Sequence, residues 1–382
     1  MKRLYHNLVL QDLQQKMLFI GGPRQVGKTT LCKSLMQESA YHENSVYLNW
    51  DNDFDRNIIT KKLWLKTAKL VIFDELHKYQ SWKRWIKGVY DKKPDHQQYS
   101  VTGSARLDVY KKGGDSLMGR YHYWRIHPLT IDEIPEDISH SDAMERLLTL
   151  GGFPEPFLKA DTRLAKRWRK ERFAKVLRED VRDLTFIRDL KLLELFSDAL
   201  RERAGQLIVP SNLAEDLQIH PQTAKSWLDL LEAMYVGFPI YPLSKNIPRS
   251  IQKPAKFYFY DNADTQDNKA ARLENLVATT LQKRLHFQED YHGQRCQLHY
   301  IRDRDNREVD FTTMVDGKLD LLIEVKTSET KLSPGLLYYS EKLKPRIAVQ
   351  LVSTLDQSFE KNGVLVMNPV EFFVKYCPFP FA

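Results

Sequence analysis

The chain has 382 residues, 42% of them hydrophobic and 28% charged, with a formal net charge of +8. Such a length supplies core for two or three domains, and the balance is that of a soluble globular protein without repeats or low-complexity segments. No apolar run approaches membrane-spanning length and the opening "MKRLYHNLVLQDL" is too polar for a signal peptide, so a cytoplasmic protein without membrane contact is expected. Cys32, Cys296 and Cys377 lack paired spacing, which argues for a reducing compartment and against a zinc cluster. The moderately basic charge admits DNA as a partner without requiring it.

The first element is the apolar run Met17 to Ile20, followed by "GGPRQVGKTT" and the helix-like "TTLCKSLMQ". Gly22, Gly27, Lys28 and Thr29 fit G-x-x-x-x-G-K-[ST]. Glycines let the backbone wrap closely around phosphate oxygens, and the helix that follows presents its positive end. ATP is the expected ligand, bound by Gly22, Pro23, Arg24, Gln25, Val26, Gly27, Lys28, Thr29 and Thr30. Lys28 is expected to meet the β- and γ-phosphates and Thr29 to offer its hydroxyl to Mg2+.

"SVYLNW" reads as the next strand, ending in Asp51. "LVIFDEL" then gives a buried strand with Asp74 and Glu75 at its C-terminal end, where ligands bind in open α/β sheets. Asp74 is expected to hold Mg2+ through water, and Glu75 to orient or deprotonate the attacking water. "YSVTGSAR" is a third strand, with Ser100, Thr102 and Ser104 as candidates to sense the γ-phosphate. Arg120 and Arg125 in "GRYHYWR" are candidates to stabilise transition-state charge. Alternating strands and helices make this part a doubly wound sheet, and its domain is placed at 1–135.

A helical region is expected over 136–205, broken by "GGFPEP" at Gly151 to Pro156. Its basic stretch from Arg163 to Arg182 also carries acids and is expected to be a solvated helix face. From 206 to 262 the pattern is a winged helix-turn-helix. Leu213, Ala214 and Leu217 mark the first helix, Thr223, Ala224, Trp227, Leu228 and Leu231 the second, and "FPIYPL" and "KFYFYD" the wing. Gln222, Thr223 and Lys225 open the second helix, where a recognition helix would meet DNA.

The segment 263–382 holds a second acidic motif. Asp310 in "REVDF" stands fourteen residues before Glu324, and Glu324 and Lys326 share one face of "LLIEVKTS". A hairpin through Asp316 and Gly317 brings Asp310 beside Glu324. Two carboxylates and a lysine in one crevice suit Mg2+, with Glu274 of "ARLENLVATTLQKRL" as a third acid.

These motifs in this order resemble the prokaryotic AAA-type ATPases that carry a C-terminal restriction-endonuclease-like domain. The resemblance runs from about residue 10 to about residue 375. It rests on "GPRQVGKTT", "VIFDELHK", "VTGSAR", "LMGRYHYWRIHPL", "GGFPEPF", "LREDV", "LAEDLQIHPQTAKSWLDLLE", "LENLV" and "REVDF…LLIEVK". It implies an α/β chain of three parts: a P-loop AAA-type ATPase domain, a winged helix-turn-helix and a restriction-endonuclease-like domain. It also implies an ATPase core of Lys28, Thr29, Asp74 and Glu75, with Ser104 in the sensor segment and Arg120 as the family-like arginine. Glu274, Asp310, Glu324 and Lys326 become the nuclease set. One departure is "YDNADTQ" at Tyr260 to Gln266, where the family tends to have Asp-x-Gly-Leu. The expected function is ATP-driven action on DNA with Mg2+-dependent cleavage, in defence or mobile-element maintenance, by a homo-oligomer in the ATP-bound state or with a protein partner. The competing expectation is a nucleotide-switched or partner-binding regulator whose nuclease-like domain does not cut.

Overall fold

The structure, a computed structural model, describes residues 3–103, 117–180, 189–244 and 253–376. Ser104, Arg106, Val181 of "LREDV" and Cys377 lie outside the described residues. Backbone contacts divide the chain into two units. The first holds the chain up to His127 with short returns near Arg172 and at Ala233–Tyr235, and the second holds most of the remainder from Pro128.

In the first unit, β1 (Met17–Gly21), β2 (Ser45–Asn49), β3 (Leu70–Asp74), β4 (Gln98–Thr102) and β5 (Tyr121–Arg125) form one sheet in the order β2-β3-β4-β1-β5. Every pairing is parallel. Parallel strands need crossovers, here involving α2 (Lys28–Met36), α3 (Asp53–Lys61) and α4 (Trp82–Tyr90) after α1 (His6–Gln15). β1 and β3 are buried throughout, as strands covered on both faces must be. Aromatic rings fill one face: Phe73 meets Trp64 and Trp85 edge-on, each at 5.3 Å, and Phe19 stacks on Tyr121 at 4.3 Å. Because the strands are parallel, Gly21, Asn49, Asp74, Thr102 and Arg125 all end at one edge.

The second unit contains α5 (His140–Thr149), α6 (Pro154–Lys159), α7 (Thr162–Lys175) up to Glu171, α8 (Leu190–Arg201), α9 (Pro210–Asp216) and most of α10 (Pro221–Ala233). Its strands are β6 (Leu207–Ile208), β7 (Gly237–Pro242), β8 (Ala255–Phe259), β9 (Cys296–Arg302), β10 (Glu308–Val315), β11 (Lys318–Lys326), β12 (Ile347–Val352), β13 (Phe359–Lys361) and β14 (Val364–Met367). They lie in the order β13-β14-β12-β11-β10-β9-β7-β8-β6. The strands expected to be a separate wing, β7 and β8, therefore continue the sheet of the C-terminal strands through a parallel β7–β9 pairing. The nine-stranded sheet runs across the expected boundary at 262/263.

β9, β10 and β11 form an antiparallel meander, after which β12 runs parallel to β11. The β10–β11 hairpin turns at Asp316 (φ 50°) and Gly317 (φ 76°), the left-handed pair that a two-residue turn requires. The long helix α11 (Lys269–His292) packs on β8 and β9 and carries Glu274 near its start. Asn268 caps it by accepting from the amides of Ala270 and Ala271.

Further along α11, the Lys283 ammonium is buried and paired with Glu133, and it also donates to Thr130 Oγ1 at 2.8 Å. Removing one partner strands the other charge away from water. Lys283→Met should cost about 3–5 kcal/mol of stability in urea unfolding, and adding Glu133→Leu should recover much of it. A single variant as stable as the parent would contradict this reading of the pair.

Candidate functional site

The phosphate-binding loop leaves β1 in a conformation that the sequence dictates. Gly22 has φ 137°, and a Cβ there would stand 2.3 Å from the Ile126 carbonyl oxygen. Gln25 (φ 64°) and Gly27 (φ 100°) bend the rest, and no side chain caps α2 at Gly27. The first-turn amides of α2 therefore face the loop as an anion site. The Lys28 ammonium is buried and donates to the carbonyls of Gly22 (3.0 Å) and Pro23 (2.7 Å). Arg3 braces the loop from outside by donating to the carbonyls of Val26 (3.1 Å) and His127 (2.6 Å).

Asp74 sits at the sheet edge beside this loop, and hydroxyls from three elements donate to it. Thr29 Oγ1 of α2 reaches Oδ2 at 2.8 Å, Tyr47 of β2 reaches the same oxygen, and Thr102 of β4 reaches Oδ1. Burial first, and Asp74 beside it, push the Tyr47 hydroxyl up, which keeps it a donor. Thr29 and Asp74 side by side are a hard-oxygen pair, the donor chemistry that Mg2+ takes. The lysine, the uncapped helix end and this oxygen pair fit a nucleotide triphosphate with its metal.

Glu75 follows in the left-handed region at φ 56°, an uncommon state for a non-glycine residue and one that concentrates at functional sites. Its Oε2 lies 3.7 Å from His77 Nδ1 and 3.9 Å from Lys78 Nζ. Burial brings His77 down to about 3, so it stays neutral beside Glu75. Lys78 is held at 2.6 Å by Asp51. Among the sensor candidates, Thr102 touches Asp74, Ser100 faces Cys32 Sγ at 3.6 Å, and Ser104 lies outside the described residues.

Arg120 requires a correction. Met17 pairs with Tyr121 and Gly21 with Arg125, so Arg120 precedes the strand and stands at the opposite edge from the phosphate loop. That separation is about 15 Å along the strand. Its guanidinium is engaged with both oxygens of Asp91, at 2.7 and 3.3 Å. Arg125, in register with Gly21, stands at the phosphate-loop edge.

In the second unit, the hairpin places Asp310 and Glu324 on facing strands, next to the pair Phe311 and Ile323. Asp310 Oδ2 accepts from the Val325 amide at 2.9 Å, and Lys326 Nζ lies 2.9 Å from Glu324 Oε1. Glu324 Oε2 is buried without a hydrogen-bond partner. Glu274 Oε1 accepts from the Tyr258 hydroxyl at 2.6 Å. The Lys256 ammonium, also on β8, lies near Glu274, Glu308 and Asp310. The expected trio Glu274, Asp310 and Glu324 does not close on one point: among the described residues no three His, Cys, Asp or Glu side chains gather as metal ligands.

Sequence reasoning missed Tyr47, Lys256 and Tyr258 as members of these sites. The alternation Lys256, Phe257, Tyr258, Phe259 carries a signal, because period two puts the lysine and the tyrosine on one face. Nothing local to "SVYLNW" marks Tyr47 as a donor.

Residues 14–135 match the family described as an AAA domain. The first unit is accordingly an α/β P-loop domain of AAA type. Residues 141–263 and 269–372 match two domains of unknown function, DUF8612 and DUF4143. An uncharacterized protein of Methanocaldococcus jannaschii is 22% identical over 417 residues, spanning 99% of this chain and 90% of that protein. Uncharacterized proteins of Mycobacterium bovis and Mycobacterium tuberculosis are each 24% identical over 246 residues, 64% of this chain and 54% of theirs. This chain thus aligns with about half the length of the mycobacterial relatives. The Thermotoga maritima RuvB Holliday junction branch migration motor is similar at 16% identity and a TM-score of 0.32, covering 65% of this chain and 92% of that one. A superposition at that level carries no argument. Among the described residues no helix is long and apolar enough to cross a membrane.

Burial first, and Asp310 second, push the carboxyls of Glu274 and Glu324 up to about 7 from an ordinary 4.5. A folded-state value above the unfolded one means stability that is complete below about 4.5 and lost as pH rises through about 7. Tm should therefore fall from pH 5 to pH 8, and Glu324→Gln should flatten the fall. An unchanged slope in the variant would show that Glu324 stays ionised across this range.

Proposed function

We propose that this chain hydrolyses ATP and acts on DNA through its C-terminal domain. The observation that carries the hydrolytic half is Asp74 at the phosphate-loop edge, fixed by Thr29, Tyr47 and Thr102. In this reading Lys28 holds the β- and γ-phosphates while Thr29 and Asp74 hold Mg2+, which neutralises charge on the phosphate oxygens. Glu75 accepts the proton of the attacking water.

The DNA half rests on Asp310, Glu324 and Lys326 in one hairpin with the helix-borne Glu274 near Asp310, a layout that supports a restriction-endonuclease-like domain. The helix pair α9 and α10, followed by the β7–β8 hairpin, supports a winged helix-turn-helix. Gln222 and Lys225 are exposed at the start of α10. Residues 206–244, however, carry one lysine against four acids, so this region is a poor grip for phosphates. The basic face lies on α7 instead, where Arg163, Lys166, Arg167 and Lys170 are exposed at three- and four-residue spacing. A second reading, a nucleotide-switched regulator that does not cut DNA, is favoured by one observation: the carboxylates near Asp310 already hold a lysine.

Lys28→Ala should abolish nucleotide binding. Glu75→Gln should keep binding and lower turnover about 100-fold or more, since only proton transfer is lost. Unchanged hydrolysis in Glu75→Gln would sink the assignment. Binding to DNA should weaken steeply with added salt, and Lys166→Glu with Lys170→Glu should reduce both the affinity and the salt slope. If neither changes, α7 is a solvated face and nothing more.

A further inference from the structure

The acidic crevice of the second unit contains a cation of its own. Lys256 Nζ lies 2.7 Å from Glu308 Oε1, 3.4 Å from Glu274 Oε1 and 3.7 Å from Asp310 Oδ1. These carboxylates come from α11 and from alternate positions of β10, and Lys256 comes from β8. Two strands stand between β8 and β10 in the sheet order, yet the Tyr258 and Phe311 rings are 5.5 Å apart, so β8 curls over β10. The lysine side chain is only 6% exposed. A buried ammonium is tolerated at such a place because acids surround it, and the acids are tolerated because of the ammonium.

The charges do not balance. Glu274, Glu308, Asp310 and Glu324, which faces Asp310 across the hairpin, are four carboxyl groups against three cations: Lys256, Arg302 at 3.5 Å from Glu308 Oε2, and Lys326 at 2.9 Å from Glu324 Oε1. Glu324 Oε2 is buried and accepts no hydrogen bond within ordinary distance. Hard oxygen donors in excess of cation are what a divalent metal takes, and a lysine ammonium is the compact point charge best able to stand in for one. Its tether also gives it an advantage: it needs no capture from solution.

We propose that Lys256 is a built-in competitor of a divalent metal at the Glu274–Glu308–Asp310 site, and that a metal binds there only when the ammonium leaves. The proposal rests on the reading of this domain's acids as a metal-binding set. It explains why no three ligands converge in the described residues. It also makes metal loading, and any chemistry that needs the metal, conditional on moving the Lys256 side chain.

The test is calorimetric titration of Mn2+ into the nucleotide-free full chain, as the parent protein, as Lys256→Met and as Lys256→Gln. Lys256→Met with Asp310→Asn serves as the ligand-deficient control. The parent should bind at least tenfold more weakly than either single variant, and the control should lose the gain. Should Lys256→Met unfold, Lys256→Gln and the Mn2+-dependent rise in Tm carry the same comparison. ATP hydrolysis, whose assigned residues all lie in the first unit, reports the fold of that unit, and a parent-like circular dichroism spectrum and cooperative urea unfolding report the fold of the second. Equal, tight binding by the parent and the variants would overturn the proposal while leaving the acids a metal site. No saturable binding by folded variants would overturn it together with the metal-set reading.

Discussion

A carboxylate taken out of water must be repaid with donors or with a cation, and both candidate sites are built around that requirement. At the edge of the first sheet the repayment is in hydroxyls. Asp74 is 4% exposed, and Thr29, Tyr47 and Thr102 all donate to it. Those hydroxyls come from α2, β2 and β4, so one side chain fixes the register of three elements around the phosphate loop. Hydroxyl donors leave the negative charge of Asp74 in place. A site meant to hold a hard cation needs that charge, whereas a lysine partner would have cancelled it.

The second unit repays its acids the other way. Lys256 supplies charge to Glu274, Glu308 and Asp310, and Tyr258 supplies a hydroxyl to Glu274. The contrast has a functional consequence. In the proposed reading the first site takes a metal that arrives with a nucleotide, and the second is occupied by a cation that belongs to the chain. A chemical step at the second site would then depend on a conformational one, a natural way to make it subject to events elsewhere in the protein.

Local chemistry was legible in the sequence where it repeats over a few residues. Gly22 and Gly27 announced a loop with left-handed backbone, the apolar runs before Gly21 and Asp74 announced buried parallel strands, and Asp316-Gly317 announced the hairpin that sets Asp310 against Glu324. What stayed hidden depends on pairing between distant segments. Tyr47 reaches Asp74 only because β2 lies beside β3, and Arg120 falls at the wrong edge only because Tyr121 is in register with Met17. Lys256 falls in a segment with the pattern of a wing strand, and nothing near it in sequence reveals that β8 curls over β10. The extent of the second sheet was hidden for the same reason: a two-residue parallel pairing of β7 with β9 joins regions that composition alone separates.

The central claim is that Asp74 organises a metal-nucleotide site and not merely a sheet edge. The most direct measurement is ATP turnover in Asp74→Asn, which keeps the shape and the acceptor oxygen while removing the charge. With nucleotide affinity measured in the absence of Mg2+ as the control, that affinity should be nearly unchanged. Mg2+-dependent turnover should fall at least 100-fold, on the order of 3 kcal/mol of lost transition-state stabilisation. Turnover near that of the parent protein would contradict the account.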